Sequence, residues 1–312
     1  MDESLPGSGR FAFPALVTAN LFLAFGPWLV RDADVGPIAA GFWRIALAVP
    51  VLFVLAHLSR RRTGASGQGG RLTLGMVAAL ALAGLFFALD LASWHSGIHL
   101  TKLANATLFG NASSLLFPLY GFIIARSWPR PLHAGALLLA ILGVGLLLGR
   151  SYELSPRHLT GDLLALLAGT FYTFYLIVID RTRRTIAPMP VLALTTAAGA
   201  VPLLLMAMLA GEQIMPHDWT PLILLSLGSQ LLGQGLLVYA IGHVGPLLVG
   251  VTFLTQPIVN GLLGAIAYDE RLGAGDIVGA LLICVAMVLI RMPTRLERRA
   301  TDAHLAREGD AT

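Results

Sequence analysis

The side chains here that could hold a ligand are amides, one carboxylate and a phenol, set inside runs otherwise apolar enough for lipid. Asn20, Asn111, Ser114, Tyr172, Gln230, Gln234, Gln256 and Asn260 fall near the middles of such runs, Asp90 deep in another, and Trp94 and Asn105 beside the turn that follows it. Groups of this kind bind reversibly through hydrogen bonds and charge. Polar side chains are costly in lipid, so they face a bundle interior or a watery path. Residues four apart share a helix face, which aligns Thr252 with Gln256 and Asn260, Gln230 with Gln234, and Thr107 with Asn111, Ser114 and Pro118. Amides can also serve only as helix-to-helix glue. Glue alone need not gather at similar depth in six particular runs, which favours one shared cavity.

Asp90 is the only carboxylate well inside an apolar run, and Arg44 sits at matching depth in the run before it, each roughly 10 Å from the same boundary. Two readings stand: a structural ion pair between neighbouring helices, or a functional pair in which Asp90 carries a proton or meets a cationic substrate group. His95 and His99 have a spacing that suits a metal on a helix, but no further ligand completes a site, so neither metal nor cofactor is expected. No HExxH, GxSxG or paired intramembrane aspartates appear, so the chain does not read as an enzyme. A membrane-embedded enzyme and a passive facilitator or channel are the competing classes.

The elements that carry these residues are ten apolar segments, at 11–30, 37–58, 72–97, 101–125, 132–148, 162–180, 189–211, 219–241, 246–268 and 275–292. Each is about as long as a bilayer-spanning helix requires. Hydrophobic residues make up 56% and charged residues 12% of the 312, and mean hydropathy is +0.77. The fold class expected is therefore all-α, a polytopic membrane protein with ten transmembrane helices. Ala48-Val49-Pro50 recurs as Ala200-Val201-Pro202, and Gly135-Ala136-Leu137-Leu138 as Gly279-Ala280-Leu281-Leu282. Two repeats of five helices follow, 1–154 and 155–312, and an odd number of crossings turns the second upside down.

Placing the N-terminus in the cytoplasm puts fifteen arginines inside and only Arg31, Lys102, Arg150, Arg157 and Arg271 outside, so both termini are expected in the cytoplasm. These charges flank spans, which excludes a nucleic-acid partner. The first segment reads as a retained helix and not as a signal peptide. Cys284 is the sole cysteine, so no intrachain disulfide forms. Trp28, Trp94, Trp128 and Trp219 lie near segment ends, as an interfacial belt requires. Phe171, Tyr172, Phe174 and Tyr175 reach the middle of segment six, where they could stack on a substrate or simply pack. Gly145 with Gly149 and Gly275 with Gly279 permit close helix approach, and Pro118 and Pro257 are hinge candidates. The expected partners are a small-molecule substrate and the lipid bilayer of a bacterial inner (plasma) membrane, and a monomer suffices.

Gly41-Phe42-Trp43-Arg44, the 94–107 turn, Pro118, the 161–181 stretch, Pro257 and Asp269-Glu270-Arg271, in this order and spacing, resemble the drug/metabolite transporter superfamily, EamA type. The resemblance spans nearly the whole chain. It implies two five-helix repeats around a cavity made by helices one, three, four, six, eight and nine, and export of amino acids, aromatic ones included, or other small metabolites. One departure stands out: the acidic-basic pair expected before the fifth helix is replaced by Ser127-Trp128-Pro129-Arg130-Pro131. Sugar-phosphate carriers of the superfamily would show several inward cations, and only Arg44 is available.

Overall fold

The computed structural model describes residues 11–62, 73–113, 115–116, 131–182, 188–241, 252–253 and 255–289. Serine 114, Pro118 and Trp128 lie outside them. Among the described residues the only regular elements are helices, joined by short connections, without strands. The helices are α1 (Ala12–Asp32), α2 (Pro37–Ala46, resumed at Ala48–Arg62), α3 (Leu74–Ile98), α4 (Leu103–Gly110), α5 (Pro131–Leu154), α6 (Pro156–Thr182), α7 (Pro188–Leu209), α8 (Thr220–Leu225, Ser226–Gly233 and Gln234–Ile241), α9 (Thr255–Tyr268) and α10 (Ala274–Leu289).

Six of them contain stretches long and apolar enough to cross a membrane: Ala12–Asp32, Pro37–Leu58, Leu74–Ile98, Pro156–Ile179, Met189–Leu209 and Thr220–Leu237. Pro131–Leu147 and Ala274–Leu289 are shorter apolar helices. The expected segments four and nine run partly through residues 117–125 and 246–251, outside the described ones. Leucine, isoleucine and valine side chains stand outward along these helices, among them Ile141, Val201, Leu205, Ile266 and Leu281, each more than half exposed. Apolar exposure on this scale suits lipid and not water.

Prolines explain two of the breaks. Pro27 has no N–H for the Leu23 carbonyl, and Pro50 has none for that of Ala46, so α1 is interrupted at Phe25 and α2 at Leu47. Only Ser155 separates α5 from α6, whose start extends six residues before the expected one. In the middle of α8, Ser226–Gly233 is wound as a π-helix, a local widening common at functional sites. No sequence pattern announced it.

Helices α3 and α6 pack extensively, as do α5 and α10, α3 and α7, α2 and α7, α4 and α9, and α1 and α8. The α5–α10 contact is tight because Gly143 faces the Gly279 carbonyl, where a Cβ would come within 2.8 Å. The expected α5 contact residue, Gly145, has open space beside it, so the close approach falls one turn-face away from the GxxxG reading. The Asp34–Gly36, His99–Lys102, Ser155, Gly211–Trp219 and Asp269–Gly273 connections gather at one end of the bundle, cross-linked by bonds such as Gly36 N–H to the Gln213 carbonyl (3.0 Å) and Arg157 Nη2 to the His99 carbonyl (3.0 Å).

Candidate functional site

A cavity of about 80 Å³ lies in the middle of the bundle. Helix α3 lends it Phe87, Asp90, Leu91 and Trp94, and α4 lends Thr107 and Gly110, with Asn111 and Ser113 just beyond. Leu23 of α1, Tyr172 of α6, Gln234 and Leu237 of α8, and Phe253 and Gln256 complete the wall, and Arg44 enters from α2. Of the side chains singled out in the sequence, the cavity thus gathers Arg44, Asp90, Trp94, Thr107, Asn111, Tyr172, Gln234 and Gln256.

Arg44 and Asp90 face this space without touching each other. Arg44 is 3% exposed, donates from Nε to Gln230 Oε1 at 3.3 Å, and lies 5.8 Å over the Trp94 ring. Among the described residues its Nη1 has no partner, and neither has Gln230 Nε2. The expected meeting of Arg44 and Asp90 therefore takes the form of a shared cavity, with Gln230 of the π-helix as the contact partner of Arg44. A buried guanidinium with so few bonds is costly unless something completes its shell.

Trp94 is a wall residue here and not an interfacial anchor, because its indole N–H donates to the Ala106 carbonyl at 3.1 Å and turns the ring inward. Trp219 does sit at a helix start, packed edge-on against Trp43 with centroids 4.8 Å apart. Tyr172 stacks on Tyr175 (5.4 Å), which stacks on Phe87 (5.1 Å), so one aromatic column connects α6 with α3 at the cavity side. Phe174 faces outward, 44% exposed.

Asn20, Asn105, Gln230 and Asn260 are buried away from the lining. Asn20 joins α1 to the α9 region, donating to the Leu16 carbonyl and Thr252 Oγ1 and accepting from Gln256 Nε2 at 2.8 Å. Asn260 donates to the Gln256 carbonyl at 3.0 Å, one turn below. Asn105 donates to Asp162 Oδ2 at 3.3 Å, and Thr101 Oγ1 donates to Asp162 Oδ1 at 2.5 Å. Asp162 is wholly buried where α4 meets α6, a role its place at the edge of an apolar run did not reveal. Pro257 lies in the first turn of α9, as described.

His95 Nδ1 lies 3.1 Å from the Pro37 carbonyl, and among the described residues no three His, Cys, Asp or Glu side chains gather as a metal site. Lys102 pairs with Asp276 at 2.6 Å. Phe87, Leu91, Leu237 and Phe253 are wall residues that sequence reasoning missed, since an apolar residue in an apolar helix carries no mark of the face it occupies.

No curated protein matches this sequence. A solved structure described only as the crystal structure of a protein is 22% identical and superposes with a TM-score of 0.62, over 93% of this chain and 99% of that one. That likeness speaks for the fold alone. The profile of the EamA-like transporter family matches residues 159–292, from α6 through the end of α10. By that match the second half of the chain is similar to the EamA-like transporter family.

Proposed function

We propose that the chain exports small organic metabolites, amino acids and especially aromatic ones foremost, by alternating access through the central cavity. The observation that carries this reading is the separated pair in the wall: a carboxylate, Asp90, and a guanidinium, Arg44, share one cavity without contact. A zwitterion would engage both, its ammonium group toward Asp90 and its carboxylate toward Arg44. Phe87, Trp94, Tyr172 and Phe253 then offer ring faces to an apolar or aromatic side chain.

Alternating access requires two halves that exchange roles. Support comes from the packing: α2 meets α7, α4 meets α9 and α5 meets α10, each helix against the one five places on, and the α3–α6 contact is matched by α8–α1. A twofold operation that exchanges helices one to five with six to ten maps this contact set onto itself. On this reading the repeats are 1–154 and 155–312, ten helices cross a bacterial inner membrane with both termini cytoplasmic, and Pro118 and Pro257 act as hinges.

Counterflow uptake into proteoliposomes, with a panel of amino acids and with or without a pH gradient, tests the function. Saturable counterflow of aromatic amino acids is the expected result. Failure of every amino acid refutes the substrate class, and unsaturable flux would replace the carrier by a passive facilitator.

A further inference from the structure

A second hollow, about 610 Å³, opens at the end of the bundle where the described connections gather, and it shares no lining residue with the central cavity. Between the two lies a compact set of bonds. Arg31, in the last turn of α1, donates from Nη1 to Glu270 Oε1 at 2.5 Å, from Nε to the Ile98 carbonyl at 2.7 Å, and from Nη2 to the Thr101 carbonyl. Glu270, just past α9, accepts with its other oxygen from the Leu103 N–H at 2.9 Å, the first residue of α4. A carboxylate is well placed there, because the first N–H groups of a helix have no internal partner and carry the positive end of its dipole. Gly264 is part of the seat, since a Cβ on it would overlap the Glu270 carboxylate.

We infer that Arg31, Glu270 and the α4 N-terminus form a gate that closes the central cavity from this end of the bundle. The clasp joins the ends of α1, α3, α4 and α9, helices that also line or flank the cavity. Leu103 precedes the wall residue Thr107 by one helical turn, so the clasp lies roughly 6 Å along α4 from the lining. Rupture of the Arg31–Glu270 pair releases the end of α1 from the start of α4 and the end of α9, while the Asn20–Gln256 bond deeper in the bundle still holds α1 to α9, and joins the two hollows.

Sequence makes the device one-sided. Helices α4 and α9 are repeat partners, and the acidic residue that follows α9 has no counterpart after α4, where residues 116–131 contain no Asp or Glu. The same holds for α2 and α7: Glu212, after α7, accepts from the Ile38 and Ala39 N–H groups at the start of α2, whereas residues 49–72 are free of acids. Among the described residues, the carboxylates Glu212 and Glu270 on helix N-termini both lie at this end, and the clasp closes the resting protein there.

The inference rests on the transport reading of the cavity, but its test needs no substrate, so failure of the amino-acid assignment would leave it intact. In a Cys284→Ala background, Ser113→Cys places a single thiol in the cavity wall. A membrane-impermeant thiol reagent is then applied separately to each face of sealed vesicles. Glu270→Gln should raise the labelling rate from the face bearing the α9–α10 connection about tenfold, the factor expected for one charge-assisted hydrogen bond, and leave the rate from the opposite face no higher. Arg31→Gln, which also removes the bonds to the Ile98 and Thr101 carbonyls, should give at least that rise, and the double variant no more than Arg31→Gln alone. Glu212→Gln, which loosens α2 instead, should lower the thermal midpoint without raising the labelling. An unchanged rate in Glu270→Gln, an equal rise from both faces, additive effects in the double variant, or a rise in Glu212→Gln would each overturn the gate.

Discussion

The central cavity and the clasp use the same kinds of charged group in opposite ways. At the clasp, Arg31 makes three bonds and Glu270 two, so each charge is matched by partners from other helices. In the cavity, Arg44 holds a single amide at 3.3 Å, with no partner for Nη1 among the described residues, and it and Asp90 attract each other without forming a direct ion pair. A matched charge fixes the position of a helix. An unmatched buried charge carries a desolvation penalty that a ligand of complementary charge can relieve. The contrast assigns holding to one region and binding to the other, and it can be broken by neutralising residues in each and asking whether binding or holding suffers.

The largest effect is expected at Asp90. Asp90→Asn removes the only acid in the cavity wall among the described residues and should lower amino-acid counterflow about a hundredfold or more with membrane abundance unchanged, because a truncated charge pair leaves the other charge buried and alone. Normal transport by that variant would sink the binding role. Arg44→Gln comes next: apparent affinity for an aromatic amino acid should fall between about tenfold and a hundredfold, the worth of one charge-assisted hydrogen bond, and affinity for the matching amine without a carboxylate should not. Equal losses for the two ligands would make Arg44 a scaffold residue.

At the clasp end the readout changes from binding to stability. Lys102 and Asp276 are paired at 2.6 Å with side chains only 11% and 4% exposed. Lys102→Met should cost about 3 kcal/mol in thermal unfolding by stranding the Asp276 carboxylate, with the substrate affinity of the surviving protein unchanged. Asp276→Leu added to it should restore part of that loss, and only part, because Asp276 also accepts from the Gly273 N–H at 2.9 Å.

How much of this was legible in the sequence depends on what kind of signal each residue leaves. Asp90 and Arg44 announce themselves, since a charge inside an apolar run has few structural excuses. Amides do not, because the same Asn serves equally as wall or as glue: Asn111 lines the cavity, whereas Asn20 bridges α1 to Thr252 and Gln256. The four-residue spacing of Gln230 and Gln234 was visible, but the π-helix that gives one to Arg44 and the other to the cavity depends on backbone winding no side-chain period records. Glu270 was read only as part of a motif. Its task follows from a helix N-terminus 167 residues away in sequence, which only the folded chain brings to it.

Asn105 provides the smallest and most discriminating test. By sequence it belongs with the ligand-binding amides, yet the fold buries it to 4% exposure and turns its Nδ2 to Asp162, beside the Thr101 hydroxyl on the other carboxylate oxygen. If position in the fold decides role, Asn105→Ala should lower stability by about 2 kcal/mol, the worth of a buried hydrogen bond to a carboxylate, and leave amino-acid selectivity in counterflow where it was. Asn111→Ala is the matched control on the same segment: its side chain lines the cavity, so selectivity should shift while the thermal midpoint barely moves. Should Asn105→Ala change selectivity and Asn111→Ala only stability, the division between holding and binding residues would be drawn along the wrong face of α4.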